Sequence, residues 1–327
     1  MPERLVIADL PPDYGDAPAE YQAVRERAGI LDRSALGVLE VTGKDRASFL
    51  HALVSNDIKA LAPGQTCGAT LLDIHGKVQL TLFVWSMADR IWLVTPPGTA
   101  AFALEAFDKY LFSEKAYFTD VTADFALSML AGPDAAALGE RVAGDLAGVD
   151  VRRAPGLGET GGPETWIAVP AGDGARAWQA ALDAGARPAG ATAFESLRIE
   201  AGTPLFGRDV DDTVLLPEIP AARLLSHTKG CYPGQEVVVR IRDRGHVNRM
   251  LRGLVVEGQT VPERGADVLA EGTVIGRVTS ATRSIGLGRP IALGFVKRQY
   301  ADAGTLVGVR IGDAVAPARV SDVPFPR

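Results

Sequence analysis

The sequence predicts an α+β protein: two mixed α/β domains followed by a small C-terminal β-barrel. Three observations predict it. Helical and strand-like periodicities interleave through the first part of the chain instead of segregating. The interleaving comes twice in outline, without a detectable sequence repeat. Helical periodicity then stops, and short β-rich runs separated by glycine take over. The divisions fall at residues 1–118 and 119–249 for the mixed domains and 250–327 for the barrel.

After a proline-rich start, residues 17–29 form a charged helical stretch, and G-I-L-D-R-S-A-L-G-V-L-E-V-T-G then alternates as a strand does. Residues 43–53 place Phe49, Leu50 and Leu53 at helical spacing, so they read as an amphipathic helix against that sheet. Two apolar runs over residues 69–95, broken by M-A-D, read as adjacent strands, and 99–111 returns to helix. A strand at 125–130, an alanine-rich helix near 133–147, a glycine loop, a strand at 166–169 and a helix near 174–184 follow. The barrel strands are read from L-R-G-L-V-V-E-G, G-T-V-I-G-R-V-T-S, A-L-G-F-V and L-V-G-V-R-I-G.

Of the 327 residues, 47% are hydrophobic and 23% charged, the composition of a soluble globular protein. A formal net charge of -6 gives no broad footprint for nucleic acid. Cys67 and Cys231 are the only cysteines, in no C-x-x-C pair, which excludes a disulfide framework and a metal site built from this chain's thiols alone. The first residues lack a basic and then long apolar leader, and no segment approaches a membrane span, so a cytoplasmic protein is expected.

Several familiar motifs fail. Gly156, Gly158 and Gly161 satisfy G-x-G-x-x-G, but a strand-like run follows in place of the helix that would hold a pyrophosphate, so the segment reads as a turn. Gly43-Lys44 is followed by Asp45 and lacks the upstream glycine of a phosphate loop. There is no G-x-S-x-G, and His51, His75, His227 and His246 have no H-E-x-x-H spacing. Asp211, Asp212 and Glu218 read as acids of a solvated loop.

The informative segment is 226–252, S-H-T-K-G-C-Y-P-G-Q-E-V-V-V-R-I-R-D-R-G-H-V-N-R-M-L-R. Cys231 stands beside Gly230 and near Lys229 and His227, in a loop bounded by Pro233 and Gly234. A nearby cation favours the thiolate, the reactive form. A lone cysteine is more often a small buried hydrophobe, the reading kept for Cys67, but flexible glycines and cations around Cys231 argue for a reactive thiol. Residues 237–244 are expected to be extended, which places Arg240, Arg242 and Arg244 on one face. Such a face suits bidentate binding of carboxylate or phosphate, and reads equally well as a solvated strand edge paired with nearby acids.

K-G-C-Y-P-G-Q-E followed by R-G-x-x-N-R resembles the signature of the YgfZ-like folate-binding proteins of iron-sulfur cluster assembly and repair, relatives of the glycine-cleavage aminomethyltransferase. V-T-G-K-D-R-A-S-F-L-H-A-L-V-S-N-D-I, L-L-D-I-H-G-K-V and E-S-L-R-I-E-A-G-T-P-L-F-G-R-D extend the resemblance along nearly the whole chain. It implies an aminomethyltransferase-like fold around a central cavity that binds tetrahydrofolate or a derivative, with no metal in the isolated protein. Iron-sulfur client or assembly proteins are the implied partners, with no nucleic acid and no membrane. Carried over onto this sequence, Cys231 is the essential thiol at the cavity rim. Lys229, Gly230, Tyr232, Gly234, Gln235 and Glu236 shape its loop, Glu200 clamps the pterin and Arg240 lies near the folate. The aminomethyltransferases carry a catalytic aspartate where this chain reads T-P-P-G-T-A-A-F at 95–102, which argues against a classical aminomethyltransferase. The alternatives are a folate-dependent aminomethyltransferase or demethylase and a non-catalytic folate-binding module.

Overall fold

The apolar stretch 29–42 does not form one strand. A computed structural model describes residues 10–326; the leader reading of the first residues falls mainly on positions 1–9, outside the described residues. Helix α1 (Ala17–Glu26), capped by the Asp16 carboxylate, leads into β1 (Gly29–Asp32), and β2 (Gly37–Thr42) follows after a turn. Asp32 makes that turn by accepting from the Ser34 N–H at 2.9 Å, a local bond that competes with continued strand pairing. The two strands then enter different sheets.

The first sheet has the order β3-β4-β5-β2-β6 and is wholly antiparallel. Its remaining strands are β3 (Thr66–Leu72), β4 (Val78–Ser86), β5 (Ile91–Thr95) and β6 (Tyr117–Asp120). Helices α2 (Arg46–Leu53) and α3 (Ala100–Asp108) cover one face, with Phe49, Leu50, Leu53 and Phe107 buried against Leu39, Val41 and Leu93. The second sheet has the order β10-β1-β7-β9-β8. It comprises β7 (Phe125–Ala131), β8 (Arg152–Pro155), β9 (Glu164–Pro170) and β10 (Arg187–Pro188), together with β1. Helices α4 (Ala135–Asp145) and α5 (Gly174–Asp183) cover its outer face. Leu31 of β1 registers with Met129 of β7, so a division at residue 118 leaves β1 apart from the sheet it belongs to.

Strand alternation makes the seam between the sheets. In β5, Trp92 and Val94 face the seam while Ile91 and Leu93 face the helices; in β9, Trp166 and Ala168 face it while Ile167 and Val169 face away. Trp85, Trp92 and Trp166 are fully buried there, and Trp85 meets Trp92 edge-on at 5.5 Å. Helix α6 (Ala191–Glu200) closes one side of this seam with Phe194 and Leu197.

Residues 237–244, expected to be extended, lie in helix α7 (Gln235–Arg244). Three consecutive valines favour extension locally. Tertiary packing overrides them: Gly234 holds a left-handed φ of 79° that starts the helix, and Val238 is buried. Arg240 and Arg244 therefore lie one turn apart while Arg242 points roughly 200° around the axis from Arg240, so the three share no face. Arg242 instead pairs with Asp243 and meets His227 Nδ1 at 3.1 Å.

The C-terminal part is a closed six-stranded barrel, as the sequence predicts. Its strands are β11 (Arg249–Val256), β12 (Asp267–Ala270), β13 (Thr273–Arg283), β14 (Pro290–Lys297), β15 (Leu306–Ile311) and β16 (Ala314–Ser321). Strand β11 pairs with both β14 and β16 and so closes the ring around Leu254, Val268, Val296, Val309 and Val320. No helix of the described residues is long and apolar enough to cross a membrane.

Because Trp92 fills the seam and donates its indole N–H to Glu40 at 3.1 Å, Trp92→Ala should lower unfolding free energy by about 3–5 kcal/mol in denaturant titrations. A loss below ~1 kcal/mol would show that the seam closes up around the gap.

Candidate functional site

The inner faces of the two sheets and the 201–224 connection enclose a cavity of about 340 Å³. Phe83 and Trp166, whose rings stack on each other with centroids 5.1 Å apart at 26°, are among the lining residues. Thr95 and Pro96, at the end of β5 and the start of the T-P-P-G-T-A-A-F stretch at 95–102, line it, and Glu159 is the one acid among the lining residues. The chain 219–224, just before the cysteine loop, also lines it, whereas Cys231 and Arg240 do not.

Glu159 reaches the cavity because a second carboxylate shapes its loop. Glu164 is buried and accepts from the Gly158 N–H at 2.8 Å and from the Thr160 N–H and hydroxyl at 2.7 and 2.8 Å. Burial, and then the charge of Glu159, push the Glu164 carboxyl above its ordinary range. With Gly158 and Gly161 at positive φ, the G-x-G-x-x-G run is a turn wrapped around this carboxylate. Glu159 Oε2 in turn accepts from Arg33 Nη2 at 2.9 Å. Arg33 follows β1, 4% exposed, with its guanidinium carbon 4.9 Å from the Phe194 ring centroid and 5.7 Å from that of Trp166. Its Nε and Nη1, and Trp166 Nε1, are buried without hydrogen-bond partners.

Glu200, expected to clamp a pterin, is occupied elsewhere. Its Oε2 accepts from the Tyr21 hydroxyl at 2.6 Å and Arg25 Nη2 at 2.5 Å; its Oε1 accepts from Ser284 and Ser196 at 2.6 and 2.8 Å. Four bonds fill the acceptor capacity of a carboxylate. Glu200 is absent from the lining of the cavity between the sheets but lines a smaller pocket of about 90 Å³ that shares Ala201, Arg223 and Pro324 with it. Burial raises its pKa, but the hydrogen bonds, led by Ser284 and Tyr21, outweigh that and leave it below 4.5.

The motif loop is held by a buried lysine. Lys229 lies beneath it, 7% exposed, with Nζ donating to His51 O and to Val54 O, carbonyls at the C-terminal end of α2, and lying 4.8 Å from the Tyr232 ring centroid. Burial drives its pKa down to about 8, opposed by the charges of Asp57 and of both cysteines. Tyr232 is buried too, its hydroxyl pushed up to about 12 by burial. Cys231, between them, is exposed. Gly234 is required by space as well as by φ: a Cβ there would stand 2.4 Å from Asp73 O and 3.0 Å from the Cα of Gly76. K-G-C-Y-P-G-Q-E and L-L-D-I-H-G-K-V thus pack glycine on glycine. Gly230 has no such constraint. Gln235 opens α7, and Glu236 and Arg240 are exposed on it.

Three features lay beyond sequence reasoning. Ser55, Asn56 and Asp57 stitch the loop's approach: the Ser55 hydroxyl donates to Leu224 O at 2.5 Å and Asn56 Nδ2 to Arg223 O at 3.3 Å. His51 Nδ1 lies 3.1 Å from Asp57 Oδ1, with Nε2 turned toward Gly230. Cys67, its thiol pushed up to about 12 first by burial and then by Asp57, shares with Cys231 the field of Lys229. Only S-N-D, within a segment already singled out, carried a signal. Glu218, read as solvated, is buried against Arg249 at 3.1 Å. Among the described residues, no group of three or more His, Cys, Asp and Glu side chains assembles as a metal site.

Two α-helix-flanked sheets facing each other across a cavity, followed by a closed barrel, define the class of fold. The solved aminomethyltransferase T of the glycine cleavage system from Bartonella henselae shares it, with a TM-score of 0.87 over 97% of this chain and 91% of that one, at 24% identity. The GCVT N-terminal domain model matches residues 10–153 and the glycine cleavage T-protein C-terminal barrel domain model residues 249–326. Among curated proteins, the aminomethyltransferase of Thermosynechococcus vestitus is 31% identical, covering 98% of this chain and 90% of its own length. That of Streptomyces avermitilis is 30% identical over 98% and 92%. The chain belongs to the glycine-cleavage T-protein (aminomethyltransferase) family.

Removing the Glu200 charge with Glu200→Gln should cost about 2 kcal/mol at neutral pH. Because the folded carboxyl lies below 4.5, the wild-type advantage is complete above that pH and is lost as pH falls through the lower folded value. Unfolding curves of both proteins between neutral and acid pH will show the convergence; a constant gap would overturn it. A lysine Cε resonance assigned to Lys229 should titrate near pH 8, and a midpoint at 10.5 would show that burial is not felt.

Proposed function

We propose that this chain is a tetrahydrofolate-binding factor that supports assembly or repair of iron-sulfur enzymes through the thiol of Cys231. The observation that carries this reading is a contrast between two places. Thr95 and Pro96 leave the β5 corner of the cavity without the carboxylate that one-carbon transfer needs, while Cys231 stands exposed on a loop buttressed from beneath by Lys229 and Tyr232. The resemblance of K-G-C-Y-P-G-Q-E to the YgfZ signature supports the same reading. A mostly apolar cavity with a few polar lining residues, Arg33, Glu159 and Arg223 among them, suits the flat, polar-edged ring of a folate. Folate, when bound, would supply a carrier for one-carbon units; the chain's own part is to bind and orient it.

A folate-dependent aminomethyltransferase is the second reading. The names of relatives matching almost the full chain favour it, and Glu159 offers an acid inside the cavity at another place in the sequence.

One pair of assays separates them. In cells lacking the endogenous protein, wild type should restore an iron-sulfur enzyme's activity and Cys231→Ala should restore less than about a tenth of it. Equal rescue by both would remove the thiol from the function. Failure of rescue, together with tetrahydrofolate-dependent turnover of an aminomethyl donor that survives Cys231→Ala and is lost in Glu159→Gln, would establish the transferase.

A further inference from the structure

Helix α7 has one face that no other element of the described residues covers. Val238 is buried, and Val237 and Ile241 half-buried, on the side that meets the body of the protein. The opposite side carries Gln235, Glu236, Val239, Arg240, Asp243 and Arg244, and these residues alone line the open groove along it. Arg240 and Arg244, one turn apart, are exposed, and among the described residues neither donates a side-chain hydrogen bond nor forms an ion pair. Asp243, between them in the sequence, accepts instead from Arg242 through both of its oxygens. Arg240 is not among the residues that line the cavity between the sheets.

This cationic face is tied to the thiol at both ends of the helix. Helix α7 begins four residues after Cys231, and Gly234 between them is locked against Asp73 and Gly76. From the far end, Arg242 returns to meet His227 Nδ1 at 3.1 Å, four residues before Cys231. Loop and helix therefore form one ledge, with Cys231 exposed on it. The β3–β4 turn that packs on Gly234 and Val237 carries Ile74 at its tip, 74% exposed. Residues 226–246 hold four Lys and Arg against two acids in a chain of net charge -6, so cations gather on the ledge while the rest of the chain is acidic. Exposed cations beside an exposed apolar side chain match a protein surface, which charge steers and apolar contact holds. A nucleic acid is held chiefly through its phosphates, and the acidic remainder of the chain repels it.

Resting on the reading of Cys231 as the working thiol, we propose that the Arg240–Arg244 face of α7 is the docking surface for an acidic segment of a protein partner, whose carboxylates seat on the two guanidinium groups while its reacting group meets Cys231. The two arginines select the partner by charge and hold it in place; the thiol does the chemistry.

Three peptides of one sequence, with glutamate, glutamine or lysine flanking a cysteine activated as its pyridyl disulfide, serve as probes. Cys231 gives up its proton, its sulfur bonds to the peptide sulfur, and the pyridyl sulfur leaves with the electron pair of the broken bond and is protonated to thiopyridone, whose absorbance gives the rate. Mass analysis scores the adduct on Cys231 apart from any on Cys67. At about 0.01 M salt, where the Debye length is about 30 Å, wild type should react about tenfold faster with the glutamate peptide than with the glutamine peptide, and slowest with the lysine peptide. Near about 1 M salt the three rates should converge. Arg240→Glu combined with Arg244→Glu should reverse the order, and taking each rate as a ratio to the glutamine peptide cancels any change in the thiol itself. Equal rates for wild type at low salt would overturn the proposal while leaving Cys231 as the working thiol, and need no variant to fold. A folded double variant that keeps the glutamate preference would overturn it too. Slowing of the glutamate peptide by a single-stranded oligonucleotide, at concentrations where the same peptide without the disulfide has no effect, would assign the face to nucleic acid instead. Failure of Cys231 to react with any of the three peptides is a different result: it removes the thiol reading itself, and this surface with it.

Discussion

Glu200 joins parts of the chain that share no strand pairing. Its carboxylate accepts from Tyr21 and Arg25 of α1 and from Ser284 in the barrel, while its backbone carbonyl accepts from the Phe325 N–H of the C-terminal tail at 2.8 Å. Two residues earlier on the same helix, Arg198 is fully buried between Glu195 and Asp209 and reaches Ser280 of β13 at 2.7 Å. A buried charge is tolerated only when its partners are held in place, so these two side chains on α6 set how the seam and the barrel sit against each other. The cavity is a consequence. Its walls come from both sheets, from the connection after α6 and from Val323 and Pro324 of the tail.

The cysteine loop obeys a different constraint, one of space. Gly76 and Gly234 approach so closely that a side chain on Gly234 would strike the backbone of the other turn, and Lys229 inserts beneath the loop to meet carbonyls at the end of α2. The result is a rigid base with Cys231 presented on top. Lys229, Tyr232 and Gly234 thereby hold the loop's shape, Gln235 and Glu236 begin the helix that follows, and the Cys231 side chain is left exposed.

Membership in the T-protein family explains the architecture without deciding the chemistry, because a fold carries its function only through the groups at its site. Here a cavity lies between the sheets, Thr95 and Pro96 at the β5 corner carry no acid, and, with Arg223 a further cation among the lining residues, Arg33 and Glu159 form an ion pair there. Neither belongs to a stretch that the sequence marked: Arg33 sits in a turn between strands and Glu159 in a glycine loop dismissed as a failed phosphate motif. Their partnership spans 126 positions, and only the meeting of β1 with the loop before β9 creates it.

Local patterning was enough to determine the α+β class, the barrel and most helices, since periods of two and of about 3.6 are written into the order of apolar residues. The motif around Cys231 was legible for the same reason, being contiguous. Contiguity also misled. V-V-V-R-I-R reads as a strand until Gly234 and the burial of Val238 make it a helix, and R-I-E-A-G marks Glu200 without showing that Tyr21, Arg25, Ser196 and Ser284 bond its carboxylate. What tertiary structure alone decided is where each charge finds its partner. Hydrogen bonds across 175 and 179 positions leave no periodic trace in a sequence, yet in a low-dielectric interior they determine which carboxylate is bound up in the fold and which faces the cavity.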